Sequence, residues 1–153
     1  MKKICIALDY NPSAEKVAET GYDYAKALGA QTTLVHVITD ATYYDIDYSP
    51  IMGYTSAFAK NNLEVVDELV HGAENFLSAS AQHLGSGDIK TEVLKGETAD
   101  AILDYCVKNK IELLVMGTHS HGVLENVLMG NTAVTVVRHA KIPILIVPTK
   151  NIK

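Results

Sequence analysis

Five short apolar runs divide the chain and predict five β-strands. Each run is rich in β-branched residues, as strands usually are. Strands that are covered on both faces read as continuous hydrophobic runs, so this pattern favours a buried parallel sheet. The runs span residues 3–8, 32–38, 89–94, 111–116 and 142–147.

Between these runs, apolar residues recur at helical spacing and predict four helices. Gly29 follows the first of them, at the position of a left-handed C-terminal cap. β-Branched valines lower the helix propensity of the last. The predicted helices span residues 13–28, 57–84, 98–108 and a segment from Gly130 or Asn131 to 138.

The alternation of strands and helices predicts an α/β fold in a single domain that spans residues 1–153. Right-handed βαβ units would form an open five-stranded parallel sheet with helices on both faces. In sheets of this class, ligands bind beyond the carboxyl ends of the strands. We therefore expect a site near Asp9, residues 37–40 and the segment that begins at Gly117.

Composition and charge exclude several classes of function. The formal net charge of -5 opposes non-specific binding to nucleic acid, which depends on cationic side chains. No apolar stretch approaches the roughly 20 residues of a membrane span, and the apolar run at the start is too short for a signal peptide. Cys5 and Cys106 are the two cysteines, and we interpret both as buried thiols. We expect a cytoplasmic protein that binds neither nucleic acid nor membrane.

Residues 115–134 contain the parts of a phosphate-binding cradle. A strand ends at Gly117, a turn of small residues follows, and Gly130 opens the last helix. Backbone N–H groups and a helix N-terminus attract anions. This arrangement is suggestive rather than specific when it is taken alone.

With this segment included, the chain resembles the universal stress protein family over nearly its whole length. ATP-binding members carry Gly-x2-Gly-x9-Gly-(Ser/Thr) between the fourth strand and the last helix. Gly117 and Gly130 match the first and third glycines, whereas Ser120 and Asn131 replace the second glycine and the hydroxyl residue. The resemblance also covers residues 3–9, 34–37, Gly96 and 138–147. It implies a Rossmann-like, adenine-nucleotide alpha-hydrolase-like sheet with strand order 3-2-1-4-5.

The resemblance also implies a set of nucleotide-binding residues. The end of the first strand and the second strand would flank the adenosine, and the glycine motif would hold the phosphates. Asp9 would meet ribose hydroxyls or a metal-bound water, with a turn or cap role as the alternative. The implied residues are Ala7, Leu8, Asp9, Val37, Met116, Gly117, His119, Ser120, Gly130, Asn131, Thr132 and Ala133.

Other polar groups carry less specific signals. His119 and His121 lack a nearby cysteine or carboxylate to complete a metal site, so we expect none. We interpret His36 as a surface or packing residue. The segment 39–54 holds half of the tyrosines, which suit a lid, a partner surface or simple packing.

The leading functional hypothesis is a stress-response or regulatory protein that binds ATP or another adenine nucleotide, with or without magnesium. Binding rather than turnover would be its output, because no catalytic nucleophile or Walker lysine stands out. The alternatives are a slow ATP hydrolase and a nucleotide-free dimerisation or signalling module. We also expect a homodimer through the last strand, Ile144–Val147, because an apolar edge strand invites pairing and relatives pair there.

Overall fold

The computed structural model describes residues 1–39, 56–85, 87–118 and 129–149, without the side chains of residues 56–65. Its sheet has five parallel strands in the order β3-β2-β1-β4-β5. This confirms the predicted fold class and strand order. The strands are β1 Lys3–Ala7, β2 Gln31–Thr39, β3 Lys90–Gly96, β4 Leu113–Gly117 and β5 Ile144–Val147.

The four predicted helices are present and differ from their predicted bounds by only a residue or so. Gly29 has a φ of 61° and its N–H donates to the carbonyls of the last turn of the first helix, which confirms the predicted left-handed cap. The helices are α1 Ala14–Leu28, α2 Ser56–His83, α3 Thr98–Lys108 and α4 Asn131–His139. Within the described ranges, no helix has both the length and the apolarity that crossing a membrane demands.

The sheet is covered on both faces, and successive strand residues supply two separate cores. On β1, Ile4 and Ile6 pack towards α1 and α2, while Cys5 between them packs towards α3 and α4. Cys106 lies in the same core as Cys5, and both thiols are free and buried. Double-sided burial explains why these strands read as continuous apolar runs.

Two strands, β4 and β5, start two residues later than the apolar pattern predicts. Ile111 donates its N–H to the Cys106 carbonyl at 2.9 Å and so closes the end of α3, which delays β4 to Leu113. Pro143 has no N–H to donate, so β5 begins at Ile144.

Register explains where the strands leave space for a ligand. Pairing between β1 and β2 ends at Ala7 and Val35, while β2 continues to Thr39 along β3. The chain leaves β1 at Leu8, directly beside the part of β2 that extends further. Since β1 lies between β2 and β4, the strand order reverses here, as it does at ligand sites of open α/β sheets. The tyrosine-rich segment lies almost entirely outside the described residues.

Candidate functional site

A cavity of about 540 Å³ lies beyond the carboxyl ends of the strands. Its walls come from the ends of β1, β2 and β4 and from the first turns of α1, α3 and α4. Its volume falls within the usual range for small-molecule sites. The carboxyl ends of the strands, where the topology predicts a binding region, therefore form a concave surface in the structure.

The structure brings most of the predicted binding residues to this cavity. Asn131 is the exception among the described ones, since its side chain is exposed and does not line the cavity. His119 and Ser120 lie outside the described residues. Whether any of these residues binds a ligand stays a prediction. The predicted residues on the wall are Ala7, Leu8, Asp9, Val37, Met116, Gly117, Gly130, Thr132 and Ala133.

The start of α4 forms one end of the cavity. Gly130 is the N-cap, with φ -69° and ψ 162°, and no side chain caps the helix. Its own N–H donates to the Thr118 carbonyl at 2.7 Å, so this amide is already used. The following N–H groups, at Asn131, Thr132 and Ala133, have no acceptor within the helix. They can bind an anion, with help from the helix dipole.

Threonine hydrogen bonds hold this helix start against the end of the sheet. The Thr118 N–H donates to the Val147 carbonyl at 3.1 Å, and the Thr149 N–H donates to Thr118 Oγ1 at 3.0 Å. The two threonine hydroxyls are 3.1 Å apart. Together with the bond from Gly130 to the Thr118 carbonyl, these contacts join β4, β5 and α4. The helix start is therefore preorganised rather than loose.

Packing around Gly117 favours a glycine at this position. A Cβ added there would lie 2.8 Å from Thr149 Cγ2 and 3.2 Å from Val17 Cγ2. Contacts as short as the first essentially never occur between real Cβ atoms and their neighbours. The first glycine of the predicted motif thus has a structural reason that its motif position does not reveal.

Asp9 has the turn role that was the alternative to ligand binding, and it also lines the cavity. Its Oδ1 accepts the Asn11 N–H at 3.0 Å. Asn11 Oδ1 in turn accepts the Ser13 N–H at 3.0 Å and the Ser13 hydroxyl at 2.9 Å. These Asx turns aim the chain into α1 and fix the Asp9 carboxylate at the cavity wall.

His36 lines the cavity, a role that the sequence reasoning missed. It is buried on β2, and its Nδ1 donates to the Leu8 carbonyl at 2.8 Å. Its ring centroid lies 4.3 Å from that of Tyr10 and 5.8 Å from that of Phe76. Partial burial raises the pKa of the Tyr10 phenol. The sequence feature that could have indicated this role is the single histidine, His36, within an otherwise apolar strand.

Cationic side chains are absent from the described cavity wall. Asp9 contributes a carboxylate to the described wall, and no lysine or arginine lines it. The sequence has no lysine or arginine between Lys110 and Arg138. Among the described wall residues, an anion at the start of α4 would therefore meet backbone N–H groups and hydroxyls rather than lysine or arginine.

Comparisons with known proteins agree on one family. The family model described as the universal stress protein family matches residues 1–148. A universal stress protein of Methanocaldococcus jannaschii is 31% identical over 150 residues, which cover 95% of this chain and 81% of that protein.

Solved structures show the shared fold. A universal stress protein of Lactobacillus plantarum has a TM-score of 0.78 at 21% identity, covering 95% of this chain and 97% of the other. One in complex with cAMP has a TM-score of 0.63 at 18% identity, covering 97% and 98%. One from Archaeoglobus fulgidus in complex with dAMP has a TM-score of 0.58 at 16% identity, covering 95% and 97%.

Proposed function

The chain belongs to the universal stress protein family, and on that premise we propose that its cavity binds an adenine nucleotide. The phosphate would rest on the start of α4 and the adenosine would run along the ends of β4, β1 and β2. Proteins of the same fold that were solved with cAMP and with dAMP support an adenylate as the ligand.

The observation that carries this proposal is the uncapped start of α4 at the end of a concave site. The N-cap is a glycine, so no side chain fills the space or satisfies the first-turn amides. Thr132 and Ala133 of that turn line the cavity. A phosphate would satisfy these donors and interact favourably with the helix dipole.

The charge of the site bears on the choice of nucleotide. The family motif implies ATP, but the phosphates would meet backbone amides and no lysine or arginine among the described wall residues. Each further phosphate adds negative charge that no lysine or arginine of the described wall balances, and the chain itself has a net charge of -5. We therefore expect AMP or cAMP to bind at least as tightly as ATP when magnesium is absent, and magnesium to favour ATP selectively.

Binding rather than catalysis is the output that we propose, in a regulatory or stress-response role. Asp9 Oδ1 already accepts the Asn11 N–H, and His36 Nδ1 donates to the Leu8 carbonyl. Both groups thus have structural duties on the wall. Release of phosphate from ATP should be slow or undetectable, and turnover near the enzyme median of about 10 per second would contradict a binding role.

We also propose a homodimer through β5. This strand is at the edge of the sheet, and Ile144, Leu145 and Ile146 are only partly buried. Val147 is buried in the core, so it would contribute little to a contact between copies. An apolar edge strand with unpaired backbone groups is a ready surface for a second copy.

Calorimetry on matched glycine variants tests the nucleotide proposal. Gly130→Glu adds bulk and negative charge at the cavity, whereas Gly87→Glu adds the same charge just before β3, at the other end of the strands. AMP, cAMP and ATP should bind to wild type and to Gly87→Glu, and binding should be lost in Gly130→Glu. Adenosine, which has no phosphate, should be affected much less.

The outcomes separate the proposal from its alternatives. Equal AMP binding by folded Gly130→Glu and wild type would place the phosphate elsewhere. No heat from wild type with any adenine nucleotide at millimolar concentration would favour the nucleotide-free module. Adenine absorbance in the supernatant of heat-treated purified protein, identified by mass spectrometry, would name the nucleotide that co-purifies.

A further inference from the structure

Part of the cavity wall lies on the side of the sheet away from α4. Val35 and Val37 of β2 pack towards α3 and α4, so His36 between them faces α1 and α2. Tyr10 and Leu69 line the cavity on this same side. Together, Tyr10, His36 and Leu69 form what we name the His36 wall.

The ring of His36 is held rigidly, but one of its nitrogens has no partner. A carbonyl can only accept, so Nδ1 carries the proton that bonds to Leu8, and Nε2 of the neutral ring is an acceptor. Over the described parts of the chain, Nε2 has no hydrogen-bond partner, although His36 is only 8% exposed. Nε2 is not sealed within the protein either, so it faces the cavity that His36 lines. This acceptor, on a ring that is otherwise buried, is therefore available to a hydrogen-bond donor of a ligand in the cavity.

The neighbours of Nε2 define the chemistry of that ligand. Tyr10 is 59% exposed and packs against His36 and Phe76, so one side of its ring remains open for stacking. Leu69 adds an apolar surface, and no lysine or arginine of the described wall would attract an anion. The wall therefore suits a neutral aromatic ring that carries one hydrogen-bond donor.

We propose that the His36 wall is a subsite for a neutral aromatic heterocycle, whose N–H donates to His36 Nε2 while its ring stacks on Tyr10. The ring could be the base of a bound nucleotide or a separate aromatic molecule, since both present the same chemistry. The subsite does not require the phosphate site at α4, so each can fail without the other.

A matched pair of ligands isolates the hydrogen bond. Indole and benzofuran have nearly the same shape, but only indole has an N–H donor. In titrations of ¹⁵N-labelled protein, indole should bind about threefold to tenfold more tightly, which is the usual net effect of one hydrogen bond. Its addition should shift the His36 Nε2 resonance and the amide signals of Tyr10 and Leu69. Benzofuran should leave Nε2 nearly unchanged.

Variants separate the acceptor from the stacking surface. His36→Phe keeps a ring but removes the acceptor, so the preference for indole should fall to about one. Tyr10→Ala should weaken both ligands by about threefold or more and keep the preference. His71→Phe changes an exposed histidine of α2 and is the control that should alter nothing.

Equal affinities of wild type for indole and benzofuran would overturn the proposal, as would an indole preference that survives in His36→Phe. Signal shifts confined to other parts of the protein would overturn it too. If His36→Phe does not fold, the Nε2 shift in wild type decides. Competition between AMP and indole would identify the nucleotide base as the natural occupant, whereas independent binding would indicate a separate molecule. Indole binding without any AMP binding would support the subsite and refute the nucleotide proposal.

Discussion

Replacing Gly117 by alanine tests whether packing or ligand binding requires a glycine there. The new Cβ would lie 2.8 Å from Thr149 Cγ2 and 3.2 Å from Val17 Cγ2. The φ of Gly117 is outside the left-handed region, so the backbone itself tolerates alanine. Space alone therefore decides the outcome, and the clash is present whether or not a nucleotide is bound.

The expected cost follows from the crowded contacts. Adding a methyl group to a well-packed site typically costs about 1–3 kcal/mol, because neighbouring atoms must shift. Thr149 has little freedom to move, since its N–H and hydroxyl are engaged with Thr118. In a domain of this size, each kcal/mol lowers the melting temperature by about 2–4 °C.

A second glycine supplies a control of opposite sign. Gly72 lies inside α2 and is exposed, and a Cβ there would meet nothing within 4 Å. Gly72→Ala should stabilise the protein by about 0.5–1 kcal/mol, because alanine loses less backbone freedom in a helix. The same chemical change should thus destabilise one site and stabilise the other.

Urea denaturation without nucleotide measures both effects, with stability taken from the midpoint and slope. Thr149→Ser removes Cγ2 and keeps the hydroxyl that contacts Thr118, so it should recover at least half of the loss in the Gly117→Ala background. The double-mutant cycle reports this coupling directly. A Gly117→Ala protein as stable as wild type would refute the packing argument and leave only the ligand to explain this glycine.

Three further predictions concern other parts of the molecule. A hydrogen bond that His83 Nε2 donates to Glu19, together with the charge of Glu15, raises the pKa of exposed His83, so protonation of His83 stabilises the contact between α1 and α2. This stabilisation is complete below the ordinary histidine pKa of 6.5 and is lost as the pH rises through the raised pKa of His83. Urea midpoints should therefore fall across that pH window. The fall should be less steep when Glu15 and Glu19 are both replaced by glutamine. Glu97 caps α3 by accepting the N–H groups of the second and third helical residues, so Glu97→Ala should cost about 1 kcal/mol in urea melts, and an unchanged midpoint would show that the cap is dispensable. Leu145→Lys should convert the proposed dimer to monomer in light scattering, whereas a persistent dimer would place the interface away from β5.

The sequence by itself predicts the elements and their order well, because these depend on local patterns. Double-sided burial makes each strand a continuous apolar run, and Gly29 marks the end of α1 with a backbone conformation that favours glycine. The topology rule for open sheets then places the cavity beyond Asp9, Val37 and Gly117, where the structure has it. The strand starts at Leu113 and Ile144 lie two residues later than predicted, since a turn hydrogen bond and a proline delay them, and β3 extends two residues further, to Gly96.

Tertiary structure decides what each side chain at that cavity does, because the decisive contacts join residues far apart in the chain. Gly117 must be a glycine because of Thr149, and the first-turn amides of α4 are held in place through Thr118. Asn131 is next to the motif glycine in sequence, yet the helix turns its side chain outwards. In the sequence, His36 resembles an ordinary core residue of its strand. In the structure, its Nδ1 donates to the Leu8 carbonyl, and its Nε2 is left to face the cavity. Spacing along a chain cannot reveal such contacts, since they depend on how separate strands and helices pack together.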